Sequence, residues 1–123
     1  METTKKLTTA SEKFFCPKKP KKITKKDLQG IDAVIHLAAL SNDPMGEINP
    51  NLTKDINLTA SRKLARLSKQ AGVKRFLFSS SCSIYGISGD VVDESSPAAP
   101  KTAYAASKIS FEKLFINCIN SSL

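Results

Sequence analysis

The stretch Ala33-Val-Ile-His-Leu-Ala-Ala39 decides the fold. From Ala33 to Leu37 it is an apolar run broken only by His36, which suits a strand buried on both faces of a parallel sheet. A loop from Ala39 to Gly46 follows, rich in turn formers at Asn42, Asp43 and Pro44. Asn49-Pro50 then reads as a helix start, with an N-cap and a proline at the first helical position. Leu52, Ile56, Ala60, Leu64 and Leu67 predict the buried stripe of a helix ending near Gln70, with Gly72 as its stop. Arg75-Phe-Leu-Phe-Ser79 is the second strand. A loop from Tyr85 to Pro100 leads to a helix from about Thr102 to Ile119, whose apolar side (Phe111, Leu114, Phe115, Cys118) is expected to face the sheet. Strand, helix, strand, helix makes a parallel βαβα unit of the α/β class. Upstream, Asp27 to Gly30 is a turn. Residues 1–26 are basic and low in pattern, an N-terminal segment expected to be poorly ordered.

The chemistry-bearing motif is Tyr104-Ala-Ala-Ser-Lys108. Four residues apart on a helix, the two side chains share a face, so the ammonium can sit beneath the phenol. Using a tyrosine of pKa ~10 as a base near neutrality needs a downward shift of roughly 3 units, or ~4 kcal/mol. One ammonium at ~5 Å and an effective dielectric of ~20 supplies about 3 kcal/mol. The spacing therefore suits a general acid/base acting on a sugar or alcohol hydroxyl. Alone, Tyr-x-x-x-Lys also recurs by chance in amphipathic helices, as an exposed lysine beside a half-buried tyrosine.

The ordered set of motifs is more specific. Ala33-Val-Ile-His-Leu-Ala-Ala39, Asn57 in the following helix, Phe78-Ser-Ser-Ser-Cys-Ser-Ile-Tyr-Gly86 and Tyr104-x-x-x-Lys108 come in one order over residues 30–115. In this the chain resembles the extended short-chain dehydrogenases/reductases of the NAD-dependent epimerase/dehydratase family, nucleotide-sugar enzymes built on a Rossmann fold. The resemblance implies a catalytic trio of Ser81, Tyr104 and Lys108. It implies a cofactor site lined by Leu37, Ala38, Ala39, Asn57 and Ser79, together with Tyr104 and Lys108. Tyr104 would take a proton from a sugar hydroxyl as hydride leaves the adjacent carbon for NAD, while Ser81 orients that hydroxyl and Lys108 also bonds the nicotinamide ribose. The dehydratases carry Asp-Glu directly after the serine or threonine; here Cys82 and Ser83 stand there. That favours an epimerase or ketoreductase, of the UDP-hexose 4-epimerase kind. His36, the one histidine, sits inside a strand and is read as structural. Asp93 and Glu94 lie in a Pro/Ser loop and are read as solvated.

What the 123 residues do not contain also bears on function. The family opens with a strand and a Gly-x-x-Gly-x-x-Gly turn that admits the cofactor pyrophosphate to a helix N-terminus. The five glycines (30, 46, 72, 86, 89) hold no such trio. The resemblance therefore implies an internal fragment: a partial Rossmann domain over residues 27–123, lacking the first βα turn and the C-terminal substrate domain. The residues that separate NAD from NADP are absent as well, so either cofactor stays open. In family order a further strand pairs beside Ala33–Leu37. Its edge is expected to be exposed, and the chain to self-associate or borrow a strand. A non-catalytic remnant, or a half-domain completed by a partner, is the alternative reading.

Charge and composition exclude other classes. Net charge is +8, and nine lysines fall in residues 1–30. The run Lys18-Lys-Pro-Lys-Lys-Ile-Thr-Lys-Lys26 has no interleaved aromatic residues to stack bases, so a solvated segment is preferred to a nucleic-acid site. No apolar run approaches the ~20 residues needed to cross a bilayer, and no apolar leader opens the chain. Three cysteines (Cys16, Cys82, Cys118) without Cys-x-x-Cys spacing argue against a disulfide framework or a metal site. A cytoplasmic protein is expected.

Overall fold

In the computed structural model, residues 22–41 and 43–120 are described, apart from the side chains of Met45 and residues 117–120. The basic run before Lys22, Cys16 and the Cys118 side chain lie outside them. The chain divides into two compact units, one of residues up to Ala38 with Leu64–Ser79, the other of Ala39–Lys63 with Ser80 onward.

The first unit holds the sheet. Strands β1 (Ala33–His36) and β2 (Arg75–Phe78) run parallel, in the register Ala33↔Arg75 to His36↔Phe78. Each is one residue shorter than its apolar run, although Ser79 N still donates to the His36 carbonyl at 3.2 Å. Period-2 geometry sends Val34 and His36 inward, and they are buried, whereas Ile35 is 40% and Leu77 50% exposed. Val34, Leu28, Ile23 and Leu64 form the core, with Ile31, Leu67, Val73 and Phe76 packed around it. Leu64 and Leu67 come from helix α3 (Ala60–Gln70), so the apolar stripe of its second half faces this core. Gly72, at φ +79°, ends that helix, and Val73 N returns to the Ser68 carbonyl at 3.0 Å.

The expected disorder through Lys26 is corrected at its C-terminal edge. Lys25–Leu28 form a 3-10 turn, and Thr24 donates from its backbone N (2.9 Å) and its hydroxyl (2.8 Å) to the Asp27 carboxylate. Ile23 and Leu28 on either side enter the core. Two apolar anchors and a capped turn hold a stretch whose composition alone reads as solvated.

The second unit is helical. The expected loop from Ala39 to Gly46 gives way to a short helix α1 (Asp43–Ile48), with Pro44 in its first turn, where a missing N–H costs nothing. Helix α2 (Pro50–Lys54) starts as expected, Asn49 Oδ1 accepting from Leu52 N at 3.0 Å. Between α2 and α3 the backbone widens into a π turn over Asp55–Thr59, not foreseen in a single regular helix. The buried stripe is also corrected. Leu52 and Ile56 are exposed, and Thr53, Asn57 and Ser61 are buried at 0–1% exposure. Their polar atoms are satisfied locally: Thr53 Oγ1 donates to the Gly46 carbonyl at 2.9 Å and Ser61 Oγ to the Asn57 carbonyl at 2.6 Å. Helix α4 (Ala103–Asn120) packs against α1, α2 and the π turn.

Candidate active site

Helix α4 carries the tyrosine and lysine. Thr102 caps it, its Oγ1 accepting from Ala105 N at 3.1 Å. Two carboxylates of α1 secure the same end: Asp43 accepts from the Thr102 hydroxyl, and Glu47 from Ala103 N. Gly46 lies close against this helix start: a Cβ there would stand 3.1 Å from the Tyr104 Cβ and 3.3 Å from its backbone N, tighter than most such contacts. The helix start is thus fixed by contacts that hydropathy does not reveal.

Tyr104 and Lys108 are both buried, at 7% and 3% exposure, with the Lys108 Nζ 5.6 Å from the Tyr104 ring centroid. The chance reading, an exposed lysine beside a half-buried tyrosine, does not describe them. Burial pulls Lys108 below the ordinary lysine value of 10.5, and the negative charge of Glu112, one turn further along, works against that fall. A buried ammonium beside a phenol can serve proton transfer only while it stays charged, so this opposition matters chemically.

Ser81 lies in the same unit. It caps the 3-10 turn Cys82–Tyr85, which packs against α4. Its Oγ accepts from Ser83 N at 3.2 Å and donates to Ser83 Oγ at 3.2 Å. Ser83 Oγ in turn donates to Asp43 Oδ2 at 3.2 Å. A carboxylate only accepts, so the relay runs from Ser81 through Ser83 to Asp43, the residue that also holds Thr102. Gly86, at φ +70°, closes the turn, and its Cβ would meet the Ala99 carbonyl oxygen at 2.3 Å.

Asn57 sits in the π turn at 1% exposure. Its Oδ1 accepts from Leu40 N at 2.8 Å and its Nδ2 donates to Leu40 O at 3.2 Å. The amide thus pins the chain just after Ala39, and both its hydrogen-bonding ends are occupied there. In the first unit, Leu37 and Ala38 follow β1 and Ser79 follows β2, all at the C-terminal end of the two strands. Leu37 is 61% exposed. His36 is buried against the rings of Phe76 and Phe78, with centroids 6.1 and 5.9 Å away. Asp93 is exposed; its carboxyl is held below its ordinary value by hydrogen bonds from Ser95 and Ser96.

Sequence reasoning missed Asp43, Glu47, Gly46, Ser80 and Glu112. Glu112 had a signal, its four-residue spacing from Lys108. Asp43 and Glu47 had none, because their partners lie more than 50 residues away.

A family model for the NAD-dependent epimerases and dehydratases matches residues 18–122. The chain is 33% identical over 84 residues to a UDP-glucose 4-epimerase of Streptomyces lividans, covering 68% of this chain and 26% of that one. Among solved structures it is similar to a UDP-N-acetylglucosamine 4-epimerase from Methanobrevibacter ruminantium M1 in complex with UDP-N-acetylmuramic acid. That likeness has a TM-score of 0.74 and 35% identity, over 80% of this chain and 32% of that one. A UDP-glucose 4-epimerase from Stenotrophomonas maltophila, with bound NAD and formylated UDP-arabinopyranose, gives 0.76 and 29% identity, over 80% and 30%. The chain spans about a quarter of the curated relative's length, 26%. The sheet is the parallel pair of a partial Rossmann fold, the tyrosine and lysine are buried together, and the family match runs through both: the chain belongs to the NAD-dependent epimerase/dehydratase family.

Proposed function

We propose that these residues form the catalytic half of an NAD-dependent enzyme that oxidises and reduces a carbon of a nucleotide sugar, in the manner of a UDP-hexose 4-epimerase or a ketoreductase. The observation that carries the reading is the buried Tyr104–Lys108 pair, 5.6 Å from ammonium to ring. The donors fit the nicotinamide end of the cofactor: an ammonium and a phenol at the start of one helix suit ribose hydroxyls. Leu37, Ala38 and Ser79, beyond the C-terminal ends of two parallel strands, occupy the position where such sheets bind ligands. NAD, when bound, supplies hydride acceptance and return. Tyr104 removes the proton of the sugar hydroxyl and later restores it. Lys108 provides the charge that makes this possible, and Ser81 orients the hydroxyl. Ser81 Oγ already accepts from Ser83 N, and its O–H, turned from Ser83 Oγ to the sugar oxygen, would leave the sugar proton to Tyr104.

Dehydration is disfavoured. Cys82 is exposed and Ser83 is engaged by Asp43, so neither supplies the acid/base pair that water elimination needs. No helix among the described residues is long and apolar enough to cross a membrane, and a cytoplasmic setting suits the free thiol of Cys82. The reading is tested by grafting residues 30–115 into the matching segment of the Streptomyces lividans epimerase and following conversion of UDP-galactose to UDP-glucose. Turnover is expected. A chimera that folds and binds NAD but never epimerises would reject the reading.

A further inference from the structure

Helix α4 carries a carboxylate that this proton-transfer scheme does not use. Glu112 lies one turn beyond Lys108, so the two side chains share a face. Ser80 Oγ donates to Glu112 Oε1, from the residue adjoining Ser81. An exposed pair at this spacing would be worth only a few tenths of a kcal/mol. This pair is not exposed: Lys108 is 3% accessible and Glu112 half-buried. An ammonium out of water stays charged only with an opposite charge close by. The other carboxylates packed against the helix are placed elsewhere, Asp43 and Glu47 being engaged at Thr102 and Ala103, in its first turn. Lys54 and Asp55 are exposed, and Tyr85 is half-buried on the 3-10 turn.

We propose that Glu112 is a positioning residue, tethered by Ser80, which keeps Lys108 protonated beside Tyr104 and sets the Ser80-Ser81 segment and the lysine from one carboxylate. Its consequence for catalysis rests on the reading of Tyr104 and Lys108 as the proton-transfer pair, but its electrostatic content is measured without turnover. The experiment is an NMR titration of the Lys108 side chain in the 123-residue chain carrying 13C/15N-lysine, the signal being assigned by its loss in Lys108→Arg. Glu112→Gln, which keeps the size and an acceptor for Ser80, is expected to lower the Lys108 midpoint by about one pH unit or more. Ser80→Ala, which frees the carboxylate but keeps its charge, should lower it by less. An unmoved midpoint in a folded Glu112→Gln chain overturns the proposal. If that variant does not fold, an unmoved midpoint in both Ser80→Ala and Glu112→Asp overturns it equally. An inactive chimera would reject the proton-transfer reading and leave the titration to decide this one.

Discussion

Two buried polar residues concentrate the cost of building this site. Asn57 satisfies both backbone groups of Leu40, and truncating it strands a half-buried N–H and C=O. Asn57→Ala is expected to lower stability by about 2–3 kcal/mol, read from urea unfolding of the 123-residue chain. Lys108 acts in the opposite sense. Its value in the folded chain lies below the ordinary 10.5, so the unfolded chain binds the proton more tightly. The buried charge therefore opposes folding below the lowered value, and stability should rise with pH from there towards 10.5. Lys108→Met is expected to remove that alkaline rise and to be the more stable chain near neutral pH. A steeper rise in the variant would show that the lysine's burial has been misjudged.

At the scale of elements, two glycines sit where a side chain would crowd a neighbour, Gly86 in a turn and Gly46 within α1. Gly86 combines a positive φ with a Cβ position 2.3 Å from the Ala99 carbonyl oxygen. Gly86→Ala should cost about 2 kcal/mol or more in the same unfolding measurement, since neither strain nor clash can relax without moving backbone. Gly46→Ala would put a Cβ 3.1 Å from the Tyr104 Cβ, so α1 or the start of α4 must give by a few tenths of an ångström. The chimera carrying it is expected to lose turnover by more than its stability falls, because proton transfer depends on the placement of Tyr104. The elements themselves were unevenly legible. The β1 and β2 runs are apolar, and their parallel pairing follows from the helices between and after them. The first half of the stripe, over α2, the π turn and the start of α3, was misread because hydropathy places Leu52 and Ile56 inside and Thr53, Asn57 and Ser61 outside. The reverse holds, since Thr53 and Ser61 bond the Gly46 and Asn57 carbonyls, which offsets the cost of burying their hydroxyls. The π turn leaves no trace in a propensity scale, and α1 was hidden behind the turn-forming composition of Asn42, Asp43 and Pro44.

Across the whole molecule, Ser81, Tyr104 and Lys108 were legible as a motif and fall in one unit. The groups that hold them were not, because Asp43 to Thr102 and Ser80 to Glu112 are contacts 59 and 32 residues apart. The 123 residues on their own hold no Gly-x-x-Gly-x-x-Gly, and the face bearing Ile35 and Leu77 is exposed. As an isolated polypeptide they are expected to bind NAD far more weakly than micromolar in isothermal titration. They should also self-associate in sedimentation, as bare strand edges and apolar faces do. A monodisperse monomer with micromolar affinity would contradict both. The central claim is that Tyr104 moves the proton, and it is tested most directly by kcat of the chimera with Tyr104→Phe at matched NAD occupancy. A loss of about 10²–10⁴-fold with NAD binding retained is the predicted result, and undiminished epimerisation by a phenylalanine at 104 would contradict it.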